Sequence, residues 1–270
     1  MKATFRTISL SIAAASLFVA IVLNGAPAHA QTVQQIKDRG KLVVGTLVDF
    51  PPFGILDRQG KPDGYDSDLA RLIAKHMGVT LEIVPVSGPN RIPYLLTNKV
   101  DMLVAALGIT PERAKQVSFS DPSATVDQVL YARKESKING IEDLLKFKVG
   151  VARASAQDIT LTRISPQGTV IQRFEDDPST LQALLSKQVD AIAMSTLMIK
   201  EIAKGTSVEP YDIKFRVQRL VHGIAMRRGQ DDLLNWVNEF LITVKKNGEL
   251  NAIHQKWLGI DFVNVEKPPT

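Results

Sequence analysis

The sequence predicts an α/β fold of two similar lobes, on three observations. Short β-branched apolar runs alternate with helical patterns from Lys41 onward. The alternation comes in two blocks, each of about three strand–helix units. Two long extended stretches, Gln128 to Arg133 and Val217 to Met226, are suited to cross between the lobes and form a hinge. The chain would build lobe 1 from residues 31–126, lobe 2 from 127–220, and return to lobe 1 for 221–270.

The elements follow in order. Lys41 to Leu47 reads as a buried strand. Ser67 to Met77 reads as a helix, with Leu69, Leu72, Ile73 and Met77 on one face, Asp66 or Ser67 as cap, and Gly78 as the stop. Thr80 to Val86 is a strand. Arg91 to Asn98 is a short helix with Pro93 in its first turn, where a missing N–H is harmless. Asp101 to Leu107 is the next strand, and Pro111 to Lys115 starts a short helix before a loop to Asp121. In the second block, Phe147 to Ala152, Thr169 to Phe174 and Ala191 to Met194 are strands. Helices cover Ser155 to Ile164, Pro178 to Lys187 (capped by Asp177), and Ser195 to Ala203. Val221 to Arg227 is extended. Two helices, Asp231 to Lys246 and Leu250 to Trp257, close the chain around Asn247-Gly248.

Composition narrows the function classes. The 270 residues include no Cys, so neither disulfides nor a lipid-attachment thiol is available. The net charge of +5 comes from 33 basic and 28 acidic residues that are scattered and interleaved, which argues against nucleic-acid binding. Lys2 and Arg6, the apolar run Ile8 to Leu23, and Ala28-His29-Ala30 make a secretory leader cleaved after residue 30. The run is shorter than the roughly 20 residues a bilayer requires. Export to the periplasm as a monomer without a lipid tether is the expectation.

Seven ordered pieces then carry a resemblance. They are Val44-Gly45-Thr46 with Phe50-Pro51-Pro52-Phe53; Gly64-Tyr65-Asp66-Ser67-Asp68-Leu69-Ala70; Gly108-Ile109-Thr110-Pro111-Glu112-Arg113-Ala114; Phe119-Ser120-Asp121-Pro122; Val149-Gly150-Val151; Val189-Asp190-Ala191; and Gly223-Ile224-Ala225-Met226-Arg227, with Lys256-Trp257 near the end. Together they resemble the polar amino-acid-binding family of bacterial periplasmic solute receptors, over essentially the whole mature chain. The resemblance implies a type II periplasmic-binding-protein fold. It also implies a small amino-acid-like ligand, an ABC permease partner in the inner membrane, and no cofactor or metal.

It further implies site residues. Arg113 would grip the ligand α-carboxylate, and a planar guanidinium fork suits that task. Backbone N–H groups around Gly108 to Thr110 would add donors. Phe50 would stack on the ligand side chain. Arg91, in Asn90-Arg91-Ile92-Pro93, resembles the glutamate/aspartate-binding branch and would reach a side-chain carboxylate; otherwise it is a solvated helix residue. Ser155 in Arg153-Ala154-Ser155-Ala156 would supply a hydroxyl from lobe 2, a role compatible with an N-cap, and Arg153 would add charge.

Two departures from the family pattern bear on the ligand. An acidic residue usually stands where Ser195 is, to pair with the ligand ammonium, and Ser or Thr usually stands at Gly108. Either the ligand lacks an α-ammonium, or another acid such as Asp49 takes over. Leu47, where basic-amino-acid binders carry Asp, argues against Lys, Arg or His. Up to three Arg and few acids therefore favour glutamate, aspartate or another small organic acid. A soluble sensor feeding a membrane receptor would use the same cleft. An enzyme of dehydratase type on this fold is disfavoured by the absence of a Cys nucleophile and by three mature-chain His on separate elements. His76 and His254 read as helix-surface residues, and His222 as a hinge residue or cleft lining.

Overall fold

Near-continuous burial along short strands, as over 149–152 and 191–195, marks a sheet covered on both faces, and such sheets are built from parallel strands with crossover helices. The computed structural model describes residues 32–203 and 210–269, and the leader expected over 1–30 lies outside them. The strands are β1 Lys41–Thr46, β2 Ile55–Leu56, β3 Pro62–Asp63, β4 Thr80–Pro85, β5 Met102–Leu103, β6 Val117–Arg133, β7 Lys148–Ala152, β8 Val170–Phe174, β9 Ala191–Ser195 and β10 Tyr211–Arg227. The helices are α1 Val33–Arg39, α2 Tyr65–Met77, α3 Arg91–Leu96, α4 Pro111–Ala114, α5 Ala156–Ile164, α6 Asp177–Leu185, α7 Thr196–Ala203, α8 Asp231–Lys246 and α9 Glu249–Leu258. A 3-10 turn covers Ile141–Lys146.

The eight main strands are ordered β4-β1-β5-β10-β6-β9-β7-β8. Each half repeats one plan: β1 is flanked in parallel by β4 and β5, and β7 by β8 and β9. The seam between the halves is the antiparallel pair β6 and β10, each 17 residues long. β10 pairs with β5 at Ala225, while β6 pairs with β9 over Gln128 to Ala132. β6 and β10 stay paired along their length, and each has its second neighbour in a different half. This is the two-lobed α/β architecture the sequence predicts, with two crossings.

Local chemistry sets the element ends. Thr32 caps α1 in a reciprocal box with Gln35. Gly64 precedes α2 with φ 114, and a Cβ there would lie 2.5 Å from the Phe53 carbonyl oxygen. Neither Asp66 nor Ser67 caps α2, because both lie inside it and are buried. Asp176, not Asp177, caps α6 through the Ser179 N–H. The expected loop before Asp121 is the start of β6, and the expected strand over 101–107 pairs only at Met102–Leu103. His254 is buried, 3.1 Å from the Tyr65 hydroxyl, rather than on the helix surface. No helix among the described residues is long and apolar enough to cross a membrane.

Candidate functional site

In open α/β sheets the loops following the carboxyl ends of parallel strands converge on a crevice. Five such loops do so here. Leu47, Asp49 and Phe50 follow β1; Gly88 and Arg91 follow β4; Ala106 follows β5; Arg153, Ser155 and Gln157 follow β7; Glu175 to Asp177 follow β8. They line a cavity of about 40 Å³, floored by Arg113, Gln128 and Leu220. Six of the nine site residues expected from sequence line it: Asp49, Phe50, Arg91, Arg113, Arg153 and Ser155.

Arg113 sits on α4, whose start is fixed by Thr110. The Thr110 Oγ1 accepts the Arg113 N–H at 3.3 Å. The guanidinium is buried and donates to the Gly108 carbonyl from Nη1 and to the Ala154 carbonyl from Nη2, both at 2.9 Å. The second bond reaches the opposite half of the sheet. Among the described residues Arg113 forms no ion pair. Burial, then the neighbouring Arg91 charge, pushes its pKa down to about 9, so it stays protonated at neutral pH. A buried guanidinium held only by carbonyls is an uncompensated charge, and it favours an anion beside it.

Arg91 is buried rather than solvated. It donates from Nη1 to the Ala105 carbonyl at 2.9 Å and from Nε to the Gly88 carbonyl at 3.2 Å. Gly88 has no room for a side chain without crowding, since a Cβ would lie 3.2 Å from the Arg153 carbonyl of the other half. Phe50 is buried and stacks on Phe53, ring centroids 5.8 Å apart. Ser155 caps α5, its Oγ accepting the Asp158 N–H at 3.1 Å. Arg153 is exposed at the cavity rim.

The three remaining residues stand behind the lining. Gly108 contributes its carbonyl to Arg113, and a Cβ there would meet Leu220 at 2.4 Å. Leu220 therefore fills the space that a hydroxyl side chain at 108 would need. Thr110 is used as the α4 cap. Ser195 is fully buried, and its Oγ accepts the Met198 N–H at 3.0 Å. His222 is buried against Phe53 and does not line the cavity.

The cavity also holds residues that the sequence reading did not place there: Gln128, Gln157, Glu175, Asp176 and Asp177. The premise of few acids is thereby corrected, because four carboxylates now face three guanidiniums. Asp177 is pushed up to about 7, first by burial and then by the Asp49 charge. Asp49 is raised by burial and by Asp176. The acids follow β8, and the crevice rule could have flagged them; reading Asp177 only as a helix cap hid it. Among the described residues no cluster of His, Cys, Asp and Glu has the geometry to hold a metal ion.

The sequence model of the bacterial extracellular solute-binding proteins, family 3, matches residues 42–260. The chain is 30% identical to the L-cystine-binding protein TcyJ of Escherichia coli K12 over 231 residues, 85% of this chain and 86% of that protein. It is 30% identical over 282 residues to the ABC transporter glutamine-binding protein GlnH of Bacillus subtilis 168, covering 97% of this chain and 99% of that protein. Among solved structures, the solute receptor for L-cysteine of Neisseria gonorrhoeae superposes with a TM-score of 0.78 at 30% identity, over 84% of this chain and 94% of that one.

Proposed function

Because the chain belongs to family 3 of the bacterial extracellular solute-binding proteins, we propose that it is the periplasmic receptor of an ABC importer. It closes two lobes on one α-amino acid or a closely related carboxylate and hands it to a membrane permease as a monomer. In this reading the lobes divide at residues 126/127 and 220/221, on the paired strands β6 and β10; the β6–β9 pairing that begins at Gln128 supports that division. The observation that carries the reading is Arg113, a buried guanidinium with no ion pair among the described residues that already reaches from one half to the other.

In this reading the ligand α-carboxylate docks on Arg113 and displaces its carbonyl contacts. The free N–H groups at the start of α5 then close over it, beside the Ser155 hydroxyl. Phe50 covers the side chain. Excluding water strengthens each charged contact. An acidic side chain, glutamate or aspartate, is the version in which Arg91 takes the second carboxylate, and Arg91's place in the lining supports it. Glu175, Asp176 and Asp177 weigh against that version. The relatives named for cystine, glutamine and cysteine favour a ligand without net charge. Delivery to a permease is favoured over sensing or dehydration chemistry, because those relatives are named as binding proteins and one of them as that of an ABC transporter.

A thermal-shift screen of amino acids and small organic acids, followed by calorimetry, tests the proposal. Arg113→Ala is expected to raise Kd at least roughly thirtyfold, as expected when one member of a buried charged pair is removed. A near-wild-type titration for that variant removes Arg113 from the site. A tighter Kd for glutamate than for glutamine decides for the acidic version.

A further inference from the structure

We propose that Asp158 and Arg173 are positioning residues for the ligand carboxylate: Asp158 fixes the turn through which lobe 2 meets Arg113, and Arg173 cancels the charge that Asp158 would otherwise set against the incoming anion. The inference rests on the receptor reading above and adds two residues that stand outside the cavity lining.

The first observation is the turn itself. Ala154 has a left-handed φ of 57, which a residue with a side chain rarely adopts and which persists only where the surroundings impose it. Asp158 imposes it, since its Oδ2 accepts the Ala154 N–H at 3.0 Å. Both carbonyls of the turn face the other half of the sheet. That of Ala154 accepts Arg113 Nη2 at 2.9 Å, and that of Arg153 lies 3.2 Å from where a Cβ on Gly88 would stand. The N-cap of α5 does not need the Asp158 carboxylate, because the Ser155 hydroxyl already supplies it.

The second observation is charge. The N–H groups of Ala156 and Gln157 make no hydrogen bond among the described residues, and both residues line the cavity. They are donors for an anion at the start of a helix. Asp158 is the next residue, 6% exposed, and its carboxylate folds back over the same helix end. A bare carboxylate there would repel the ligand through a medium that screens poorly.

Arg173, on β8, removes that charge. Its Nε donates to Asp158 Oδ1 at 2.9 Å and its Nη2 donates to Thr162 Oγ1 at 2.8 Å. The Thr162 hydroxyl donates to the same Asp158 oxygen at 3.3 Å. Both carboxylate oxygens are thereby engaged, and the start of α5 presents donors without a net negative charge. Sheet register sets the pair, because Arg173 stands opposite Val151 on β7, the strand that leads into the turn.

The test is calorimetry with the compound that gives the largest thermal shift among the twenty standard amino acids, L-cystine, glutarate and succinate. Arg173→Met leaves the Asp158 charge uncancelled and is expected to raise Kd roughly tenfold or more. Adding Asp158→Asn removes that charge and keeps an acceptor for Ala154, so the double variant is expected to recover most of the loss. Adding Asp158→Ala instead removes the acceptor as well, and its Kd is expected to stay roughly fivefold above that of the Asn double variant. Melting curves control for folding, and Arg173→Gln replaces Arg173→Met if the latter does not fold. A wild-type Kd for Arg173→Met, a loss that Asp158→Asn fails to repair, or equal Kd values for the two double variants overturns the proposal. If Arg113→Ala loses binding while these variants give any of those results, the receptor reading stands without this inference. If no compound binds the wild type, the receptor reading falls and takes this inference with it.

Discussion

At the scale of single residues, the lining shows how one small substitution dictates another. Gly108, in the segment between β5 and α4, and Leu220, on β10, are distant in sequence, yet they compete for one volume. A Cβ at 108 would overlap Leu220 Cδ1, and Leu220 is itself 5% exposed and packed with Val126 and Ala156. Gly108→Ser is therefore expected to destabilise the protein by about 1–3 kcal/mol, the usual cost of overpacking. Leu220→Ala should remove most of that penalty, and urea titrations of the single and double variants measure the coupling. Additive effects would mean that the two side-chain volumes do not compete. The sequence reading singled out Gly108 but had no means of finding Leu220, because their proximity depends on the Gly108↔His222 bridge between distant segments. Arg113, Phe50 and Ser155 were legible since each lies in a local motif with its own turn. Gln128 was not, since nothing local distinguishes a cavity-facing Gln from a surface one. His254 likewise became a buried residue only through the packing of α9 on α2 and Phe262.

At the scale of elements, the N-terminus of α5 carries both a stability role and the proposed binding role. The Ser155 Oγ accepts the Asp158 N–H, while Asp158 returns bonds to the Ala154 N–H at 3.0 Å and to Arg173 Nε at 2.9 Å. Ala154 takes a left-handed φ of 57, which turns its carbonyl toward Arg113. Ser155→Ala is expected to cost about 1 kcal/mol of stability through the lost cap. It should also weaken ligand binding several-fold, whereas Ser155→Thr, which keeps a hydroxyl, should lose less of both. Urea melts and calorimetry read the two effects separately, and an unchanged Kd would assign the hydroxyl to capping alone. Strand and helix order was legible because periods of two and of about 3.6 residues alternate cleanly. Element ends were less so. The α6 cap moved from Asp177 to Asp176 because the end of β8, not the acid itself, decides which residue adopts the extended cap conformation, here φ −145. The sequence reads as a loop up to Asp121, yet β6 already starts at Val117 and continues through Pro122. The register shifts beside Gly223, which faces Pro122, and such an irregularity accommodates a missing N–H.

At the scale of the whole molecule, buried titratable groups make its stability depend on pH, each in a direction set by its surroundings. Asp66 lies inside α2 and is 4% exposed. Its carboxylate accepts the Ala106 N–H, whose residue has a left-handed φ of 44, but its Oδ2 has no partner. Burial outweighs that bond and the nearby Arg91 charge, and pushes the Asp66 pKa up to about 7. An unfolded Asp titrates near 3.9. Between about pH 4 and 7 the folded state therefore holds a proton that the unfolded state has released, and stability falls as pH rises through that window. Asp177, also raised to about 7, contributes in the same direction, less so whenever the cleft opens and water reaches it. Asp68 opposes them: despite burial, hydrogen bonds from Lys256, Trp257 and Arg71 hold it below its usual value. Its contribution is lost only as pH drops through that lowered pKa, below the window. His222 and His254 act in the opposite direction in the same window: burial pushes them down to about 3 and about 4, so the unfolded state binds protons there that the folded state does not. The Asp66 contribution is therefore read as a difference between the wild type and a variant, by urea midpoints at pH 5.5 and pH 7.5. Asp66→Asn keeps an acceptor for Ala106 without the buried charge, so relative to the wild type its midpoint should gain between pH 5.5 and pH 7.5 and be higher at pH 7.5. A variant that keeps the wild-type slope would show that another group titrates in the window, and would separate the Asp66 carboxylate from the strained Ala106 turn behind the cavity wall.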